Sequence, residues 1–187
     1  MSHTPEHAVR EWLASPDLKD PEGRSLPFRA LPDTVRFVKT RKAPHGQLWY
    51  VTCEADGGPR GEESWHWTVL VSHEERDRWR AHGVTGGGGA AGGGGACELP
   101  ARGFPWANLG GNWGREGFRA GGTVEDAGEE VTLVRLTDAE GRSFEDTVDD
   151  GVVLFISDEP VAMPMRVDLM DAEGHVVGSD EWGFVDE

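Results

Sequence analysis

The feature that most constrains this chain is a cadence in its second half. Between residues 117 and 180, short runs rich in Val, Leu, Phe and Met recur about every dozen residues. The runs are Gly117–Val124, Val131–Thr137, Ser143–Val148, Val152–Ser157, Met165–Met170 and His175–Asp180. Gly- and Asp-containing turns separate them, as at Asp149-Asp150-Gly151. The intervals leave no room for the crossover helices that parallel strands require. The pattern predicts an all-β, antiparallel sandwich of about six strands. It also contains an echo: residues 134–141 (VRLTDAEG) match residues 167–174 (VDLMDAEG). Hairpin chemistry explains most of the match, with Asp opening each turn and Gly supplying a positive φ.

The first half reads differently. Thr4 is a good N-cap, Pro5 suits the first helical position, and Val9, Trp12 and Leu13 form one apolar stripe. Ser15-Pro16 ends that helix. Three β-like runs follow, Thr34–Lys42, Gln47–Glu54 and Ser64–Val71, with a turn at Pro44-His45-Gly46 between the first two. In the first run Val35, Phe37 and Lys39 alternate with Arg36, Val38 and Thr40. Ser72 and Glu75 have capping-box spacing, which predicts a second helix through Trp79 to His82, stopped at Gly83. The expected fold is therefore mainly β, α+β overall. An N-terminal three-stranded antiparallel meander flanked by two helices precedes the sandwich.

Between the halves lies Gly86–Gly95, eight glycines and two alanines, in which neither helix nor strand is expected. The expected division is an α+β region over residues 1–85, a Gly-rich linker or loop over 86–97, and an acidic β-sandwich over 98–187. One compact domain is the alternative. The strand-turn cadence of the second half resembles immunoglobulin-like sandwiches. The Cys-Trp-Cys hallmark is missing, because no cysteine follows Cys97. The resemblance implies an architecture and carries no function.

Charge narrows the function classes. The 187 residues hold 34 acidic and 18 basic side chains, net −16. Residues 1–83 are almost neutral, with 12 basic against 13 acidic groups, whereas residues 98–187 carry 6 against 21. A phosphate-contacting nucleic-acid binder needs the opposite balance, so direct nucleic-acid binding is not expected. Leu, Ile, Val and Phe make up about a fifth of the chain, near the limit for folding, and eight tryptophans supply the missing apolar surface. No run approaches the roughly 20 apolar residues of a membrane span, and the amino terminus lacks the basic and apolar regions of a secretory signal. A cytoplasmic location is the expectation, with Cys53 and Cys97 reduced.

Catalytic motifs are missing. The sequence has no nucleophile elbow, no Gly-Lys-Ser/Thr phosphate loop, no Cys-x-x-Cys and no His-Glu-x-x-His. No cofactor is expected. Candidate binding residues fall into two groups. Arg102, Trp106, Trp113, Arg115 and Arg119 gather with Phe104 and Phe118 on a Gly-rich stretch, a composition typical of binding surfaces. Tryptophans plugging the end of the sandwich are the competing explanation. Glu145, Asp146, Asp149 and Asp150 form an acidic cluster without calcium-loop spacing. The expected function is noncatalytic binding of a basic protein partner through the acidic β region. Two alternatives are a metal-dependent hydrolase using His45, His66 and His73 with Glu54, and a small-ligand or glycan binder using the Trp/Arg stretch.

Overall fold

The computed structural model describes residues 4–14, 30–44, 46–56, 62–74, 78–90, 104–115, 117–125 and 130–183. It is mainly β and antiparallel, with one α-helix among the described residues. The helix, α1 (Pro5–Leu13), starts where the sequence predicts, with the Thr4 side chain accepting a hydrogen bond from the His7 amide. Its buried stripe of Ala8, Val9 and Leu13 faces a four-stranded sheet in the order β1 (Arg36–Ala43), β2 (Gly46–Asp56), β3 (Glu62–Glu74) and β4 (Arg78–Ala90).

The described part of the predicted second helix belongs to two strands, and Glu75 of the capping box lies outside the described residues. The span from Ser72 to His82 holds the end of β3 and the start of β4, with Ser72 opposite Arg80 and His73 opposite Trp79. Capping-box spacing is a local signal. Here it is overridden by pairing along the whole of β3 and by aromatic packing. Among the described residues the meander thus has four strands and one α-helix. The glycine tract is corrected in the same way: Gly86–Ala90 extends β4, with Gly86 opposite Trp67. A Cβ at Gly86 would stand 2.1 Å from the Trp67 ring, and one at Gly83 would stand 2.6 Å from the Trp12 ring. These two indoles, edge-to-face at 5.3 Å, lie across a strand that only glycine lets them approach. Residues 91–103 are outside the described residues.

Among the described residues the second half contributes seven strands, one more than the cadence predicts. The extra strand is β5 (Trp106–Gly114), which pairs along its whole length with β6 (Gly117–Glu125). Its glycines hide it from a pattern search for alternating apolar residues. A sheet of order β5-β6-β9 includes β9 (Val152–Ser157). The other sheet has the order β11-β10-β7-β8, made of β7 (Leu133–Thr137), β8 (Ser143–Thr147), β10 (Met165–Met170) and β11 (Val176–Trp182). The sequence echo lies on the paired strands β7 and β10 and their turns. In both, the aspartate carbonyl (Asp138, Asp171) accepts from the glycine amide (Gly141, Gly174), and both glycines have positive φ.

Three apolar interfaces stack these layers. α1 and the inner face of the first sheet enclose Val9, Leu13, Trp49, Val51, Trp67, Val69 and Val71. The other face of the first sheet meets β9 through Leu48, Tyr50, Val152 and Leu154. The two remaining sheets enclose Phe118, Leu136, Val153, Phe155, Met165 and Leu169. β9 is therefore buried on both faces, which accounts for its uninterrupted apolar run. Close approach of the first two sheets again rests on glycine: a Cβ at Gly121 would lie 2.7 Å from both Leu154 Cδ2 and Thr68 Oγ1. Both neighbours are buried. Gly121→Ala is therefore expected to lower stability by about 1–3 kcal/mol, the cost of overpacking. Urea denaturation checks this, and an unchanged midpoint would contradict the close packing of these sheets.

Candidate functional site

The acidic cluster is built around cations that the sequence pattern places on the wrong face. β1 pairs with β2 with a one-residue shift between Phe37 and Lys39. Phe37 stands opposite Val51 and packs on the α1 side, but Lys39 stands opposite Tyr50 and so faces β9. Simple alternation would leave Lys39 on the same face as Phe37. The bulge at Val38 reverses it, and Arg41 follows Lys39.

Across the interface, Lys39 Nζ reaches Asp146 Oδ2 at 2.7 Å and Asp149 Oδ2 at 2.9 Å, and donates to the carbonyls of Thr147 and Val152. Arg41 Nη1 donates to Asp146 Oδ1 at 2.7 Å and to the carbonyls of Glu145 and Leu154. Asp146 Oδ2 also accepts the Leu154 amide at 2.7 Å. The Lys39 and Asp146 side chains are only 9% and 10% exposed. This clasp joins one strand from each of the three sheets. It also satisfies the outward backbone groups of β9, which would otherwise be a costly buried edge.

The other acids of the cluster divide. Glu145 accepts from Arg135 Nε at 2.6 Å. The Lys39 hydrogen bond, outweighing the effect of burial, holds the Asp149 carboxyl below the ordinary carboxylate range. Asp150 is exposed at the turn tip with φ 50°. Backbone bonds from Val124 N to Gly151 O, Val148 N to Thr132 O and Thr132 N to Met170 O gather several loops at this end. The gathered loops expose Glu125, Glu130, Asp150 and Glu173. Four arginines of this half are spent on local acids instead: Arg119 on Asp158, Arg135 on Glu145, Arg142 on Asp138 and Arg166 on Asp168.

The Trp/Arg group converges in part. Arg102 lies outside the described residues. Trp106 and Trp113 stand near opposite ends of β5, against Glu125 and Phe118 respectively. Trp106 is buried, and Trp113 packs edge-to-face on Trp182 at 5.6 Å against the sandwich core. Arg119 is largely covered and bonds Ser157 O and Asp158, while Arg115 is exposed. Trp113, Arg115 and Arg119 line a cleft of about 390 Å³ with Asn112 and Leu70.

The histidine set is split as well. His45 is outside the described residues. His66 stacks on Tyr50 at 5.9 Å, on the face of β3 away from α1, and desolvation lowers its pKa. His73 is on the opposite face, with its ring 3.7 Å from that of Trp79. Glu54 accepts from Ser64 Oγ. Cys53 is a free, buried thiol whose pKa is pushed up to about 11 by burial, with Glu54 adding to it. Among the described residues, no three His, Cys, Asp or Glu side chains are grouped closely enough to share a metal ion. No helix among the described residues is long and apolar enough to cross a membrane. No family model, curated protein or solved structure matches the chain.

Lys39 and Arg41 are the functional-site residues that pattern reading misses. Asp146→Ala removes the carboxylate shared by Lys39 and Arg41, leaving Lys39 only the more exposed Asp149 and backbone carbonyls, and is expected to cost about 3 kcal/mol in urea denaturation. A second expectation concerns acid. Burial raises the Asp138 pKa, but the amides of Arg142 and Ala162 and the Arg142 guanidinium outweigh it and leave the carboxyl below its ordinary value. A depressed pKa stabilises the fold above the unfolded value of about 4 and ceases to do so as pH falls through the folded value. The stability difference between the unmodified protein and Asp138→Asn should therefore shrink steadily below about pH 4. A difference independent of pH in that range contradicts this assignment.

Proposed function

We propose that the protein is a noncatalytic interaction module that binds a basic protein partner through the acidic end of its C-terminal β region. The observation carrying this reading is the uneven use of charge at that end. Glu125, Glu130, Asp150 and Glu173 are exposed on neighbouring loops, whereas Arg119, Arg135, Arg142 and Arg166 are paired with acids elsewhere. Lys39, the cation beneath this end, is itself covered and bonded to Asp146 and Asp149. An uncompensated field of this kind speeds encounter with positive surfaces.

We read the second half as an immunoglobulin-like sandwich. In its support, seven strands divide into sheets of order β5-β6-β9 and β11-β10-β7-β8. The fourth strand, β8, is joined to β7, whereas the constant-type immunoglobulin domain places it in the other sheet. We further read residues 1–85 and 98–187 as one compact unit across the Gly-rich segment 86–97. The clasp of Lys39 and Arg41 on Asp146 supports this.

The test uses a lysine-rich peptide as the basic partner and stopped-flow association with the full chain. Substituting Glu125→Gln, Asp150→Asn and Glu173→Gln together should slow association about three- to tenfold at low salt and flatten its salt dependence. A control triple substitution, Glu140→Gln, Glu159→Gln and Glu181→Gln, removes the same charge elsewhere and should have a smaller effect. Equal effects, or association insensitive to salt, overturn the proposal.

A further inference from the structure

A second cleft, in the nearly neutral first half, has the opposite chemistry. It lies at one end of the first sheet, has a volume of about 370 Å³, and is lined by Lys42, Pro44, Gly46, Gln47, His73 and Trp79. Strand register explains the convergence. Lys42 pairs with Gln47, Gln47 with Val71, and His73 with Trp79. Directly opposed residues share a face, and residues two apart in a strand share it too. Lys42, Gln47, His73 and Trp79 therefore project from four adjacent strands to the face that α1 covers further along, while no residue of α1 lines this cleft.

The lining is chemically one-sided. Among its described residues there is no carboxylate, in a chain with 34 acidic side chains. Lys42 is exposed, and among the described residues neither its ammonium nor the Gln47 amide has a side-chain partner. His73 and Trp79 form an aromatic step with ring centroids 3.7 Å apart. The cleft thus offers a cation and an amide donor beside an aromatic wall. Its volume is that of a small-molecule site, at the lower end of the range of roughly 300–1,000 Å³.

We propose that this cleft binds a small organic anion, in which a planar ring lies against the His73–Trp79 step and its carboxylate or phosphate meets Lys42 and Gln47. The ring contributes contact area and stacking, and the charge-assisted hydrogen bond to Lys42 fixes orientation. The site is independent of the acidic end, because it lies on the first sheet and takes a ligand of opposite charge.

The probes are benzoate and phenyl phosphate, with benzyl alcohol and inorganic phosphate supplying the ring and the anion separately. Binding to the full chain is followed by the imidazole NMR signals of His73, assigned with His73→Gln, and by calorimetry. Benzoate or phenyl phosphate should shift the His73 signals saturably. Lys42→Ala should weaken that binding about tenfold, as loss of a charge-assisted hydrogen bond implies, and Gln47→Ala should weaken it less. Lys42 is exposed, so its substitution leaves the fold intact, which the spectrum of the free variant verifies. Three results would each overturn the proposal. They are no saturable shift with either ringed anion at millimolar concentration, unchanged affinity in Lys42→Ala, and inorganic phosphate binding as tightly as phenyl phosphate.

Discussion

One charged contact links all three sheets. Lys39 and Arg41 of β1 reach across to Asp146 of β8, and Asp146 in turn holds the Leu154 amide of β9. Each of the three sheets supplies one of these strands. An ion pair this covered gains little net stability, because desolvation offsets much of the attraction. Its role is registry. Only one placement of the first sheet satisfies two cations, a carboxylate and the outward carbonyls and amide of β9 together. Sliding any layer would strand buried polar groups.

Glycine makes that registry sterically accessible. Gly121 leaves room for Thr68 and Leu154 between the first two sheets, and Gly83 and Gly86 leave room for Trp12 and Trp67 over β4. A chain poor in aliphatic residues compensates by packing indoles against glycine positions of a strand. In the second half, Trp113 packs on Trp182 against the sandwich core.

The distribution of exposed charge follows from this arrangement. The clasp takes two cations of the nearly neutral half and uses them on Asp146 and Asp149, so acids one loop away stay uncompensated and exposed. At the far end of β1, Lys42 is left to a separate cleft with an aromatic wall. Positions three apart on one strand therefore have opposite surroundings, with Lys39 covered among carboxylates and Lys42 open toward solvent.

Much of this was legible in the chain itself. The start of α1, the first three strands, the six later runs and the paired Asp/Gly turns follow from local rules, since caps, alternation and positive-φ positions involve neighbours in sequence. Tertiary contacts decided the rest. Ser72–Glu74 and Arg78–His82 fall within a helix signal yet pair as strands, because long-range ladders and the Trp–Gly packing outweigh one capping motif. β5 has no apolar alternation, and its glycines acquire meaning only against β6 and the first sheet. The bulge at Val38 leaves no mark in the sequence, yet it turns Lys39 from one face to the other and creates the clasp. The sequence by itself determined a mainly β chain with its acid in the second half. Which acids are bonded inside and which stay exposed was decided by tertiary structure, because a carboxylate's charge is set by its chemistry while its surroundings are set by what folds against it.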